Sequence, residues 1–130
     1  MTFENLFDDA VIISVYTRKQ AIEDGVLVDV SFMASEAGIR YPVALTRQVW
    51  AEYVVPCEET RPLGQSEEGR LWDLLWMFRN AARQSSGALL MFKCYFLMAE
   101  DRQELVEFKS ICGPGDRAEP VITIMMPWED

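Results

Sequence analysis

The run LLMFKCYFLM, from Leu89 to Met98, carries a single charge, and a folded chain has few places for such a segment. As a strand it sets Leu90, Phe92, Cys94, Phe96 and Met98 on one face and Leu89, Met91, Lys93, Tyr95 and Leu97 on the other. Both faces are apolar, which predicts a central strand rather than an edge. A buried helix is the competing reading of any short apolar run, and the neighbouring residues decide against it. AEDRQE is a charged turn, and beyond it Val106, Phe108, Ser110 and Cys112 alternate with Glu107 and Lys109 as in a half-exposed strand. Two extended runs joined by a polar turn predict an antiparallel hairpin. Gly113, Pro114 and Gly115 end its second strand, and Pro120 opens a third, VITIMM. The C-terminal third is therefore expected to be a three-stranded antiparallel meander.

Upstream, helix signals dominate. Residues 2–9 read as a short helix capped by Thr2, with Phe3, Leu6 and Phe7 on one side, and VIISVY as a brief extended piece. Thr17 opens a clearer helix, because T-R-K-Q has the form of a capping box and Gly25 stands at its end. VLVDVSFM is expected to be a strand with Val26, Val28 and Val30 inward, and Ser31 or Ser35 caps a single helical turn that Gly38 closes. Thr46 is the expected N-cap of RQVWAEYVV, whose Val49, Trp50, Tyr53 and Val54 share a stripe, and Pro56 stops it. PCEETRPLGQ reads as a mobile loop. Ser66 caps the longest helix, to about Gln84, with Glu67 and Glu68 at its positive end. Its Leu71, Leu74, Leu75, Phe78 and Ala82 form the stripe expected on the sheet. The fold class that follows is α+β: an antiparallel sheet of the meander plus VLVDV, with the long helix on one face.

At 130 residues and 50% hydrophobic composition, residues 1–130 are expected to form one domain. Twelve Lys and Arg against 21 Asp and Glu give a net charge of −9 with no basic patch, which argues against direct nucleic-acid binding. No apolar run approaches the roughly 20 residues of a membrane helix. The first residues lack the basic and apolar regions of a signal peptide, so a cytoplasmic setting is expected. Of the cysteines, Cys94 and Cys112 fall on core-facing strand positions and are expected to be buried thiols, while Cys57 lies in the loop.

The absence of histidine removes the commonest general base and the commonest zinc ligand. No phosphate loop, dinucleotide fingerprint, nucleophile elbow or hard-metal loop is present, and neither a metal nor a cofactor is expected. Two sets of residues remain as candidates. Trp72, Trp76, Arg79 and Arg83 form a second stripe on the long helix. Either a second layer of the domain covers the tryptophans, which is the expectation, or they meet a protein partner or a second copy. The other set is the GPGD turn, where Gly113, Gly115, Asp116, Arg117 and Glu119 combine exposed amides with both charge signs. A plain strand-connecting turn accounts for it equally.

The segments VYTRKQAIEDGVLVDVS, PVALTRQVW, GRLWDLLWM and GPGDRAEPVITIMMPWED together resemble a family of small uncharacterised bacterial, plasmid and phage proteins, a domain of unknown function. The resemblance runs from about Val15 to Asp130 and implies no activity, cofactor or catalytic residue. A mobile-element setting implies a small accessory or host-interaction protein. The expectation is a non-catalytic acidic binding protein, an inhibitor or regulator acting through the Trp72 and Trp76 helix. The alternative is a small histidine-free enzyme, or an anion- or nucleotide-binding domain, with its site at the GPGD turn.

Overall fold

The computed structural model describes residues 16–130. The helix expected over residues 2–9 and most of VIISVY lie outside the described residues. The elements are α1 (Arg18–Glu23), β1 (Leu27–Asp29), α2 (Ser31–Glu36), β2 (Val43–Thr46), α3 (Arg47–Val49), which continues into a π-helical turn (Trp50–Val54), α4 (Glu67–Arg83), β3 (Leu89–Ala99), β4 (Arg102–Pro114) and β5 (Pro120–Met125). The strands form one sheet in the order β1, β2, β5, β4, β3. The meander is present as expected, antiparallel throughout. The sheet as a whole is mixed, because β2 runs parallel to β5, with Val43 opposite Ile122 and Leu45 opposite Ile124. A purely antiparallel sheet is therefore corrected.

That correction comes from β2, which sequence patterning did not reveal. VALT has Pro42 before it and the Thr46 cap directly after it, and Val43, Ala44 and Leu45 are all fully buried. A strand covered on both faces carries no alternation to betray it. With β2 and β5 filling the middle, β3 is displaced to the edge, contrary to the reading of its two apolar faces. Phe92, Cys94 and Phe96 enter the core, but Leu89 and Tyr95 on the other face are 59% and 62% exposed. Single exposed apolar side chains are ordinary on protein surfaces, so two apolar faces do not compel two covers. VLVDV is likewise shorter than expected: the strand ends at Asp29, whose carboxylate takes the Ser31 amide and turns the chain into α2. Val30 is buried, but Val26 is exposed.

Three caps behave as their chemistry dictates, whereas α2 starts from Val30 with no side-chain cap, so the expected capping by Ser31 or Ser35 is corrected. Thr17 and Gln20 form the reciprocal capping box, Thr46 accepts from the Val49 amide, and Ser66 accepts from the Gly69 amide. Gly25 and Gly38 close α1 and α2 with φ of 76° and 90°. The stripe of Val49, Trp50, Tyr53 and Val54 packs inward, but through a π turn, with the Val55 amide bonded to the Trp50 carbonyl at 2.9 Å. That wider winding brings Val49 and Val54, five apart, both to zero exposure. PCEETRPLGQ is held by its own bonds: the Cys57 carbonyl accepts from the Thr60 and Arg61 amides, and Thr60 is fully buried.

The core is a chain of rings. Phe108 of β4 is fully buried, with Phe92 stacked on it at 5.5 Å, Phe96 edge-on at 5.8 Å and Tyr53 edge-on at 5.6 Å. Phe78 of α4 meets Phe92 at 5.5 Å. Beside these rings lies a buried charge that sequence reading missed, Arg70. Its Nε donates to the Tyr53 carbonyl at 2.6 Å, and its Nη1 donates to the Leu97 carbonyl at 2.8 Å and to Gln65 at 3.0 Å. The guanidinium also lies over the Phe96 ring at 4.9 Å. Removing it strands two carbonyls away from water. Arg70→Ala is expected to lower stability by ~3 kcal/mol in urea unfolding, since each buried unsatisfied group costs ~1–3 kcal/mol. Arg70→Lys should recover less than half of that loss, because one ammonium cannot span the fork. A midpoint unchanged by either variant would show that the guanidinium does not hold these segments.

Candidate functional site

α4 buries Leu71, Leu74, Leu75 and Phe78 against the sheet, as its first stripe predicts. Its second stripe stays at the surface. Trp72 and Trp76, one turn apart, stack with their rings 5.9 Å apart and 16° from parallel, and the Arg79 guanidinium lies 4.9 Å from the Trp76 ring centre. Arg79 is threaded over Gly38: a Cβ there would sit 3.0 Å from its Nε, so the glycine that ends α2 also makes room for this side chain. Trp72 and Trp76 remain 38% and 40% exposed. Among the described residues no layer covers them: α2, which packs beside α4, is only six residues long and leaves both indoles open. Arg83 lies in the last turn of α4, exposed, where a cation complements the negative end of the helix.

The GPGD turn is brought close to a segment far away in the sequence. The Asp116 carboxylate accepts from the Arg18 amide at 2.8 Å and the Lys19 amide at 3.0 Å, so it caps α1 from 98 residues away. Those two amide bonds, the Arg18 one first, hold its carboxyl below the ordinary aspartate range. Glu119 accepts from the Arg117 amide at 3.2 Å, and its carboxylate occupies the space that a Cβ on Gly115 would need. Gly113 has open space around it. Arg18 then crosses beneath, donating from Nη1 to Thr123 Oγ1 and from Nη2 to the Ile122 carbonyl, both at 2.7 Å. Burial pulls its pKa down, while Asp29, Asp116 and Glu119 favour its charge. An open cleft of about 430 Å³ lies among Arg18, Asp29, Ser31, Asp116 and Glu119, and bonds within the fold already engage both turn carboxylates. Neither Arg18 nor its distance from the turn gave any sequence signal.

A larger cleft of about 930 Å³ opens on the opposite face of the sheet from α4, between Tyr16, Arg47, Thr123 and Met125. Its polar groups also serve the fold: Arg47 Nε donates to the Gly25 carbonyl, and the Glu129 carboxylate accepts from Thr46 Oγ1 and the Met126 amide. The thiols differ in kind. Burial pushes the Cys94 thiol up to about 12, whereas hydrogen bonds from Thr60 lower that of exposed Cys57. Among the described residues no group of three His, Cys, Asp or Glu side chains is arranged to hold a metal ion, and no helix is long and apolar enough to cross a membrane.

The role of Asp116 has a pH signature. Its depressed folded-state pKa contributes stability that is present above the ordinary aspartate pKa and is lost as pH falls through the lower folded value. Asp116→Ala is therefore expected to lower the melting temperature near neutrality, with the gap to wild type closing in strong acid. A gap that persists unchanged to low pH would show that the carboxylate charge is not what docks α1.

No curated protein and no solved structure matches the chain. A family model, described as a family of unknown function and designated DUF6573, matches residues 3–130. Since that match covers nearly the whole sequence, the chain belongs to this family.

Proposed function

We propose that the protein is a non-catalytic binding protein that engages a protein partner through the exposed face of α4, and that it inhibits or regulates that partner. The observation that carries this reading is the stacked pair Trp72 and Trp76, locked by Arg79 yet open to solvent. Tryptophan and arginine dominate the energetic centres of protein interfaces. Rings already stacked in the free molecule lose little side-chain freedom on docking. The net charge of −9 sets the partner's chemistry against nucleic acid and towards a surface with basic residues around an apolar pocket.

The alternative, an enzyme or anion site at the GPGD turn, is weakened by the geometry there. A general acid or base needs a free carboxyl with a raised pKa, whereas Asp116 is exposed, lowered and bonded to two amides. Two measurements separate the readings. Affinity capture from cell lysate should retain a partner that the Trp72→Ala/Trp76→Ala double variant loses while keeping its melting temperature. Nucleotides and common metabolites should leave the melting temperature of wild type unmoved; a ligand at about a hundred times its Kd would add ~2.7 kcal/mol. A shift of that kind removed by Arg117→Ala would reverse the ranking.

A further inference from the structure

β3 is eleven residues long and stands at the rim of the sheet, and among the described residues no strand flanks its outer side. Which of its backbone groups face outward follows from register. β3 and β4 pair so that residue numbers sum to 200, and the Cys112 amide donates to the Ala88 carbonyl at 2.8 Å. Even-numbered residues of β3 therefore exchange bonds with β4, and the N–H and C=O of odd-numbered residues point to the open edge. At Leu97 that edge is closed by Arg70, which takes the carbonyl. From Leu89 to Tyr95, among the described residues, no other backbone bonds to that side: α4 packs on the face of β3, with Phe78 against Phe92, and leaves the edge open. The strand itself carries none of the usual edge protections: no proline, no bulge before Leu97, and Lys93 as the lone charge.

We infer that this edge pairs with the same edge of a second copy, antiparallel about a two-fold axis through Phe92, to give one continuous ten-stranded sheet. Antiparallel pairing of odd-numbered residues is defined by its centre, and Phe92 is the midpoint of the stretch Leu89 to Tyr95, so it pairs the whole of it. Centring on Lys93 sets two like charges face to face, which is destabilising. Centring on Cys94 needs the Leu97 carbonyl that Arg70 already holds. Centring on Phe92 has neither fault: Leu89 pairs with Tyr95 of the second copy, and Met91 with Lys93 of the second copy. On the outer face, Leu105 and Tyr95 of one copy then line up with Leu89 and Ile111 of the other, continuing the rows set by the β3–β4 register. Leu89, Tyr95 and Leu105 are each half or more exposed in the single chain, and the pairing gives Leu89 and Tyr95 an apolar cross-strand neighbour in each other. The surface is distinct from the Trp72 and Trp76 face and does not depend on its function.

Sedimentation of the full chain over a concentration series should show a species of twice 14.9 kDa. The register makes a signed prediction at Met91, a half-exposed outer-face residue whose change leaves the core intact. Met91→Glu places a carboxylate opposite each Lys93 and should tighten the dimer about fivefold, whereas Met91→Lys should loosen it about fivefold, each through two cross-strand charge pairs. The contact of residue 91 with Lys109 exists in both monomer and dimer and cancels. Trp72→Ala/Trp76→Ala should leave the dimer unchanged. A chain monomeric at every concentration would overturn the inference, whether its edge stayed bare or took another protein. So would equal responses to both charges at residue 91, or a dimer lost with the two tryptophans.

Discussion

A single guanidinium ties together three parts of the chain that have no covalent reason to meet. Arg70 bonds the π-helical turn at Tyr53, the loop at Gln65 and the end of β3 at Leu97, while its plane covers Phe96. A charge this deeply buried is tolerable only because oxygen acceptors and a ring face replace the water it loses. The consequence runs both ways. The carbonyls of Tyr53 and Leu97 need a donor there, and the fork geometry lets one residue serve both. Where Arg70 holds β3, the edge is closed; elsewhere no described residue closes it.

At the surface, too, polar pairing explains how α1 is placed. It is a six-residue helix with little intrinsic stability, since nucleation costs more than so few bonds return. Asp116 supplies acceptors for its first amides and Arg18 pins its start to β5, so the GPGD turn and α1 are each other's anchor. That mutual use accounts for a turn rich in glycine and charge without requiring a ligand.

Much of the fold was legible because it rests on local chemistry. Thr17, Thr46 and Ser66 each announced a helix by a cap, and the long apolar run of β3, the alternation of β4 and the breaks at Gly113 to Gly115 and Pro120 announced the meander. What failed was placement across the sheet. The four-residue β2, buried on both faces, has no alternation, and without it nothing in the sequence says that a parallel strand takes the centre and pushes β3 outward. Arg70 was illegible for a related reason. In a helix bearing Arg70, Arg79 and Arg83, nothing in the spacing marks Arg70 for burial, and only the position of the β3 end selects it.

The candidate surface divides along the same line. The spacing of Trp72, Trp76 and Arg79 on one helix face follows from sequence, because residues three and four apart are neighbours. Their exposure does not, since it depends on how far α2 extends over α4, and α2 stops at Glu36. A helix with two apolar stripes demands two covers only if the domain has material for both. Among the described residues the sheet takes the first stripe, and α2 is too short for the second. The indoles are left stacked on each other and under Arg79, which shields part of their area and holds them in one arrangement. A surface that is apolar, ordered and incompletely covered has most to gain from a partner whose shape matches the one it already holds.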